Sequence, residues 1–134
     1  MPHTFNVSFT ITDEEISDIL TTAIEGGIGY WACLLNDDPD WIAAREIVKN
    51  RLQDTPCYCD VGLELLKTGK AIKFEDEEDG TIHELTMEKL LQGCAVFAKE
   101  EGKSPSKMLA DGDFDANDAD MLIQYALFGE VIYG

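Results

Sequence analysis

Three aspartates in the stretch "DGDFDANDAD", Asp111, Asp113 and Asp115, stand at alternate positions, the spacing of the first calcium ligands in an EF-hand loop. The rest of that template is missing. Its sixth position requires glycine and holds Ala116; its twelfth requires a bidentate glutamate and holds Leu122. Asp115 and Asp118 fit better as the cap and a first-turn acid of a following helix, where free amides and the helix dipole favour negative charge. Zinc chemistry fares no better. Cys57 and Cys59 are one residue apart rather than two to four, and His3 and His83 lack a helical partner. Neither a metal nor a cofactor is expected.

Nucleophilic catalysis would need a Ser or Cys, a His and an orienting acid brought together. The chain has two histidines and four cysteines, but no GxSxG elbow, P-loop or dinucleotide fingerprint places them. An enzyme is not expected. The segment "EGGIGYWAC", Glu25 to Cys33, raises the question of a phosphate cradle. Such a cradle puts its glycines before a helix whose amides face the anion. Here they follow an amphipathic stretch, so Gly26 and Gly27 are expected to stop a helix in a left-handed cap.

Charge is the remaining signal. The chain of 134 residues carries 27 Asp and Glu against 10 Lys and Arg, a net charge of -17. Residues 1–44 hold eight acids and no Lys or Arg; residues 108–134 hold six, again with none. The run "EDEED", Glu75 to Asp79, adds a third uncompensated block. This exceeds the roughly 2–8 charges of a comfortable small domain, and self-repulsion opposes folding. The field repels nucleic acid and anionic lipid and attracts basic surfaces. Candidate partner-binding residues are therefore Asp37, Asp38 and Asp40, the loop Glu75, Asp76, Glu77, Glu78 and Asp79, and Asp111, Asp113 and Asp118.

The elements that must carry these residues follow from periodicity. Phe5, Val7, Phe9 and Ile11 alternate with Asn6, Ser8 and Thr10, the pattern of a half-buried strand. Thr12 and Glu15 form a capping box before Ile16, Ile19, Leu20, Ala23 and Ile24, an apolar face at helical spacing. "YWACLL" reads as a strand or buried segment. Asp38 caps a helix with Pro39 at its first position, and a short helix stops at Gly69. "AIKF" and "TIHEL" flank the acidic loop as a hairpin. Thr86 caps the next helix, a single turn follows near Lys107 to Ala110, and Asp115 caps a last helix ending at Gly129. "EVIYG" reads as a terminal strand. The expectation is one α+β domain, a small, mostly antiparallel sheet packed with four to five helices. With no basic start, long apolar run or bilayer-spanning stretch, a cytoplasmic protein with reduced thiols is expected.

"EGGIGYW" and "DADMLIQYALFGEVIYG" together resemble a group of small acidic proteins encoded by bacteriophages and prophages, in which EGG-x-x-YW and Q-Y-A-L-F-G-E segments frame the chain. The resemblance implies a phage setting and an anti-defence role of the antirestriction or anti-CRISPR kind, some of whose members are DNA mimics. It assigns no interface residue. The expected function is non-enzymatic binding of a basic, nucleic-acid-handling host partner, of the CRISPR effector or restriction enzyme class, without direct nucleic-acid or membrane contact. The alternatives are a nucleotide-signal binder with Tyr30, Trp31 and Trp41 lining an aromatic pocket, and a structural or regulatory phage protein with an apolar C-terminal oligomer interface.

Overall fold

The computed structural model describes residues 1–134. Six α-helices pack around a three-stranded antiparallel sheet, in the order α1 (Asp13–Thr22), β1 (Ala32–Leu34), α2 (Pro39–Leu52), α3 (Tyr58–Lys67), β2 (Ile72–Asp76), β3 (Ile82–Leu85), α4 (Met87–Glu101), α5 (Pro105–Asp111) and α6 (Ala116–Phe128). The strand order is β1-β2-β3, with Cys33 opposite Glu75 and Phe74 opposite His83. This is the α+β class that the periodicity predicts. No helix is long and apolar enough to cross a membrane.

Local chemistry starts the helices. Thr12 and Glu15 close a reciprocal capping box on α1, and Asp115 with Asp118 closes another on α6. Asp38 caps α2 ahead of Pro39, and Thr86 caps α4. Ser104 caps α5, which runs for seven residues rather than a single turn. The helices' apolar faces then close one core, in which Ile19, Leu20, Trp31, Phe74, Leu90 and Phe97 lie fully buried.

Four expectations are corrected. Residues 5–11 form no strand: Phe5, Val7 and Phe9 are 84%, 64% and 65% exposed, because no strand of this sheet pairs with them. Gly26 and Gly27 do not end the helix in a left-handed cap. The chain continues through them as a π-turn, Ala23–Gly27, and neither has positive φ. What Gly27 needs is room: a Cβ there would sit 2.7 Å from the Ala116 carbonyl oxygen at the start of α6. Residues 130–134 form no strand either and join no ladder. Cys57 and Cys59, expected reduced, are joined in a disulfide at the start of α3, with Cα atoms 5.4 Å apart. Cys33 and Cys94 are free thiols, and burial pushes the Cys94 thiol up to about 11.

Gly93 marks a close contact between α4 and α6. Seen from α4, a Cβ at this position would lie 2.7 Å from the Ala126 Cβ and 2.8 Å from its Cα on α6. Gly93→Ala is therefore expected to lower stability by about 1–3 kcal/mol through overpacking. Gly26→Ala, whose nearest neighbour atom is 3.9 Å away, is expected to be neutral or stabilising. Urea midpoints at unchanged slope check both, and a Gly93→Ala protein as stable as wild type would contradict the helix contact.

Candidate partner-binding face

The five consecutive acids of the β2–β3 hairpin, Glu75 to Asp79, are divided between two directions. Period-2 alternation sends Ile72, Phe74 and Asp76 inward and Glu75 outward. Asp76 is therefore 2% exposed, which removes it from the candidate surface and makes it an anchor. Its carboxylate accepts hydrogen bonds from the Tyr133 hydroxyl and from the Glu78 amide at 2.9 Å. The Nε2 of His83 faces it at 3.6 Å, outside hydrogen-bond range and with no other partner. The Tyr133 hydroxyl and the Glu78 amide hold Asp76 below the usual carboxylate range. The loop is further tied by the Glu77 amide, which donates to the Trp31 carbonyl at 2.9 Å, and by Asp79, which accepts from the Thr81 amide at 2.9 Å.

Tyr133 reaches Asp76 because a second buried polar group holds its segment. Gln124, fully buried on α6, accepts from the amides of Ile132 and Tyr133 at 2.8 Å each and donates to the Tyr133 carbonyl at 3.1 Å. It also donates to Asp120 at 2.9 Å, and Asp120 accepts from the Trp31 indole at 2.8 Å and the Tyr30 hydroxyl at 2.6 Å. The Tyr133 ring stacks on Trp31 at 4.8 Å. A continuous polar chain thus runs from the Tyr30–Trp31 loop through α6 and residues 132–133 to the hairpin root. Every buried charge in it is met by neutral donors, which is what makes its burial tolerable.

Outside this root, Glu75, Glu77, Glu78 and Asp79 are exposed, and none has a Lys or Arg within ion-pair range. The other candidates are differently placed. Asp38 pairs with Lys73 at 2.8 Å, and the Lys73 hydrogen bond holds its carboxyl below the usual range. Asp40 meets Lys70 at 3.6 Å, Asp111 meets Lys107 at 3.1 Å and Asp113 meets Lys103 at 3.9 Å. Asp118 is engaged in the α6 capping box. These five are corrected from a free anionic surface to paired or capping groups. Asp37 is exposed and unpaired, but it follows β1 near Lys73, at the opposite end of β2 from the loop. Asp111, Asp113 and Asp115 do not bring three carboxylate oxygens together.

The aromatic-pocket alternative loses its lining. Trp31 and Trp41 are 1% and 3% exposed in the core, and the hydroxyl of exposed Tyr30 is spent on Asp120. Asp120, Gln124 and Tyr133 were not among the candidates. The inward parity of Asp76 was readable from "IKFED", whereas Gln124 and Tyr133 meet only through the fold.

The anchor has a pH signature. Tyr133 is pushed up to about 12, chiefly by its hydrogen bond to Asp76, and Tyr30 up to about 12 by burial and then by Asp120. A raised folded-state pKa stabilises below the ordinary value and loses that contribution as pH rises through the shifted one. Stability is therefore expected to fall between the ordinary tyrosine value of 10.0 and about 12. Tyr133→Phe should remove part of that decline, as read by alkaline denaturation and phenolate absorbance. Asp76, with a lowered pKa, stabilises above the ordinary carboxylate range and loses its contribution as pH falls through the folded value. An alkaline profile unchanged in Tyr133→Phe would contradict the anchor. Gln124→Leu, which removes the acceptor of two part-buried amides, is expected to cost about 1–3 kcal/mol.

Compared with known proteins, the chain matches no family model, no curated protein and no solved structure.

Proposed function

We propose that the protein is a non-enzymatic binder that engages a basic, nucleic-acid-handling partner through the outward carboxylates of its β2–β3 hairpin. The observation that carries this reading is that Glu75, Glu77, Glu78 and Asp79 crowd four exposed carboxylates without a cation onto one ordered loop, whereas Asp38, Asp40, Asp111 and Asp113 are each paired with a lysine. A Lys/Arg groove that ordinarily receives phosphates would meet here a dense anionic loop already ordered by Asp76, Tyr133 and Trp31. Preorganisation matters because ordering a flexible loop on binding costs affinity. A net charge of -17 steers basic surfaces inward and repels nucleic acid itself. Host defence nucleases of the CRISPR effector or restriction class have grooves of this chemistry.

The test retains nucleic-acid-binding proteins from a bacterial lysate on the immobilised protein and elutes them with duplex DNA or with salt. Retention is expected to be displaced by DNA and to weaken steeply as salt rises, since charge contacts are screened. The triple variant Glu75→Lys, Glu77→Lys and Glu78→Lys spares the anchor and is expected to lose this retention by at least tenfold, about 1.4 kcal/mol in affinity. Equal retention by the triple variant would retire the hairpin as the binding face.

A further inference from the structure

The exposed segment 1–11 carries a second surface, of opposite character to the hairpin. Residues 1–12 contain no Asp, Glu, Lys or Arg, the longest charge-free run in a chain of net charge -17. Phe5, Val7 and Phe9 alternate with small polar residues and are 84%, 64% and 65% exposed. No backbone group of residues 1–11 bonds to another backbone group, so a strand-like segment stands without a ladder. Its base is held by partly buried Ile11, packed against the core, and by the Ser106 hydroxyl, which donates to the Thr10 carbonyl at 3.0 Å. Beside it lies a mostly apolar groove of about 290 Å³, walled on α4 by Leu91, Ala95 and Ala98. That stretch of α4, residues 90–98, is also free of charge. Unpaired apolar strands of this kind seek pairing.

We infer that this face docks a second copy of the same chain, through antiparallel pairing of Phe5–Phe9 with its counterpart. The sequence F-N-V-S-F is self-complementary about its centre: antiparallel pairing on Val7 sets Val7 opposite Val7, and each Phe5 opposite a Phe9. Such cross-strand aromatic pairs are a main unit of strand stabilisation. Charge selects the occupant as well. Two copies of net charge -17 repel wherever carboxylates face each other, and this arm with the α4 wall is a face where none do. The sheet's own edges are poorer sites, since β3 carries exposed Glu84 and the exposed carboxylates of Glu75 and Glu77 lie on and just beyond the central strand. A basic partner, for its part, finds no carboxylate on this arm. Five paired residues span only about 17 Å, so even with the α4 walls added the association is a weak, concentration-dependent one.

Sedimentation equilibrium of the full chain tests this over a roughly hundredfold concentration range, since association follows mass action. The average mass is expected to climb from the 14.9 kDa of one chain towards twice that, and to climb further with added salt as like-charge repulsion is screened. Val7→Asp, at an exposed position outside every helix and strand, is expected to stay at one chain's mass with unchanged circular dichroism and melting temperature. Val7→Ile is expected to associate at least as well as wild type. A wild-type chain that stays monomeric throughout, or a Val7→Asp chain that associates like wild type, overturns the inference. Charge reversal at Glu75, Glu77 and Glu78 should leave this association intact, so its failure is distinguishable from failure of the hairpin reading.

Discussion

A buried carboxylate, Asp76, fixes the geometry on which the rest of the hairpin depends. It closes β2, receives the Tyr133 hydroxyl and the Glu78 amide, and so joins the hairpin to the segment after α6. Because alternation turns this one acid inward, Glu75 faces water, and Glu77 and Glu78 are exposed in the turn that follows β2. The same arrangement relies on Gln124 and Asp120, which tie residues 132–133 and the Tyr30–Trp31 loop to α6. A half-satisfied polar chain of this kind would cost more than an apolar core, whereas a complete one specifies a single packing. The anchored hairpin is thus a consequence of hydrogen bonds made on the far side of the sheet from its charges.

Charge is distributed unevenly by the fold. Lys67, Lys70, Lys73, Lys103 and Lys107 each meet an acid, three of them across long sequence separations. Exposed pairs of this sort stabilise little, but they remove anionic surface locally. With only 10 basic residues against 27 acidic ones, the pairing leaves the hairpin loop unneutralised. At the other extreme lie residues 1–12 and the α4 wall, which contain no Asp, Glu, Lys or Arg. On the readings proposed above, the two faces would respond to salt with opposite signs: screening weakens attraction to a basic surface and relieves repulsion between like copies.

What sequence reading reached, and what it missed, follows the range of the interactions. Caps at Thr12, Asp38, Thr86 and Asp115 depend on residues two or three positions away, and all were legible. The hairpin was legible for the same reason. Residues 5–11 misled because alternation specifies a strand only when a sheet supplies its neighbour, and the three strands here leave it unpaired. Gly27 was read as a helix stop when its role is set by α6, some ninety residues on. Among the acidic candidates, Asp38 and Asp40 were neutralised by lysines about thirty residues away, which a charge count by blocks does not reveal. Asp76 was recoverable from its parity on β2; its partner Tyr133 was not.

The central claim is that the outward hairpin carboxylates are where a basic partner sits. Hydrogen–deuterium exchange on the protein, with and without a DNA-displaceable partner from the lysate, measures this directly. The expected result is slowed exchange across Glu75 to Thr81, with residues 1–11 unaffected. Unchanged exchange in the hairpin, with protection elsewhere on the molecule, would contradict it.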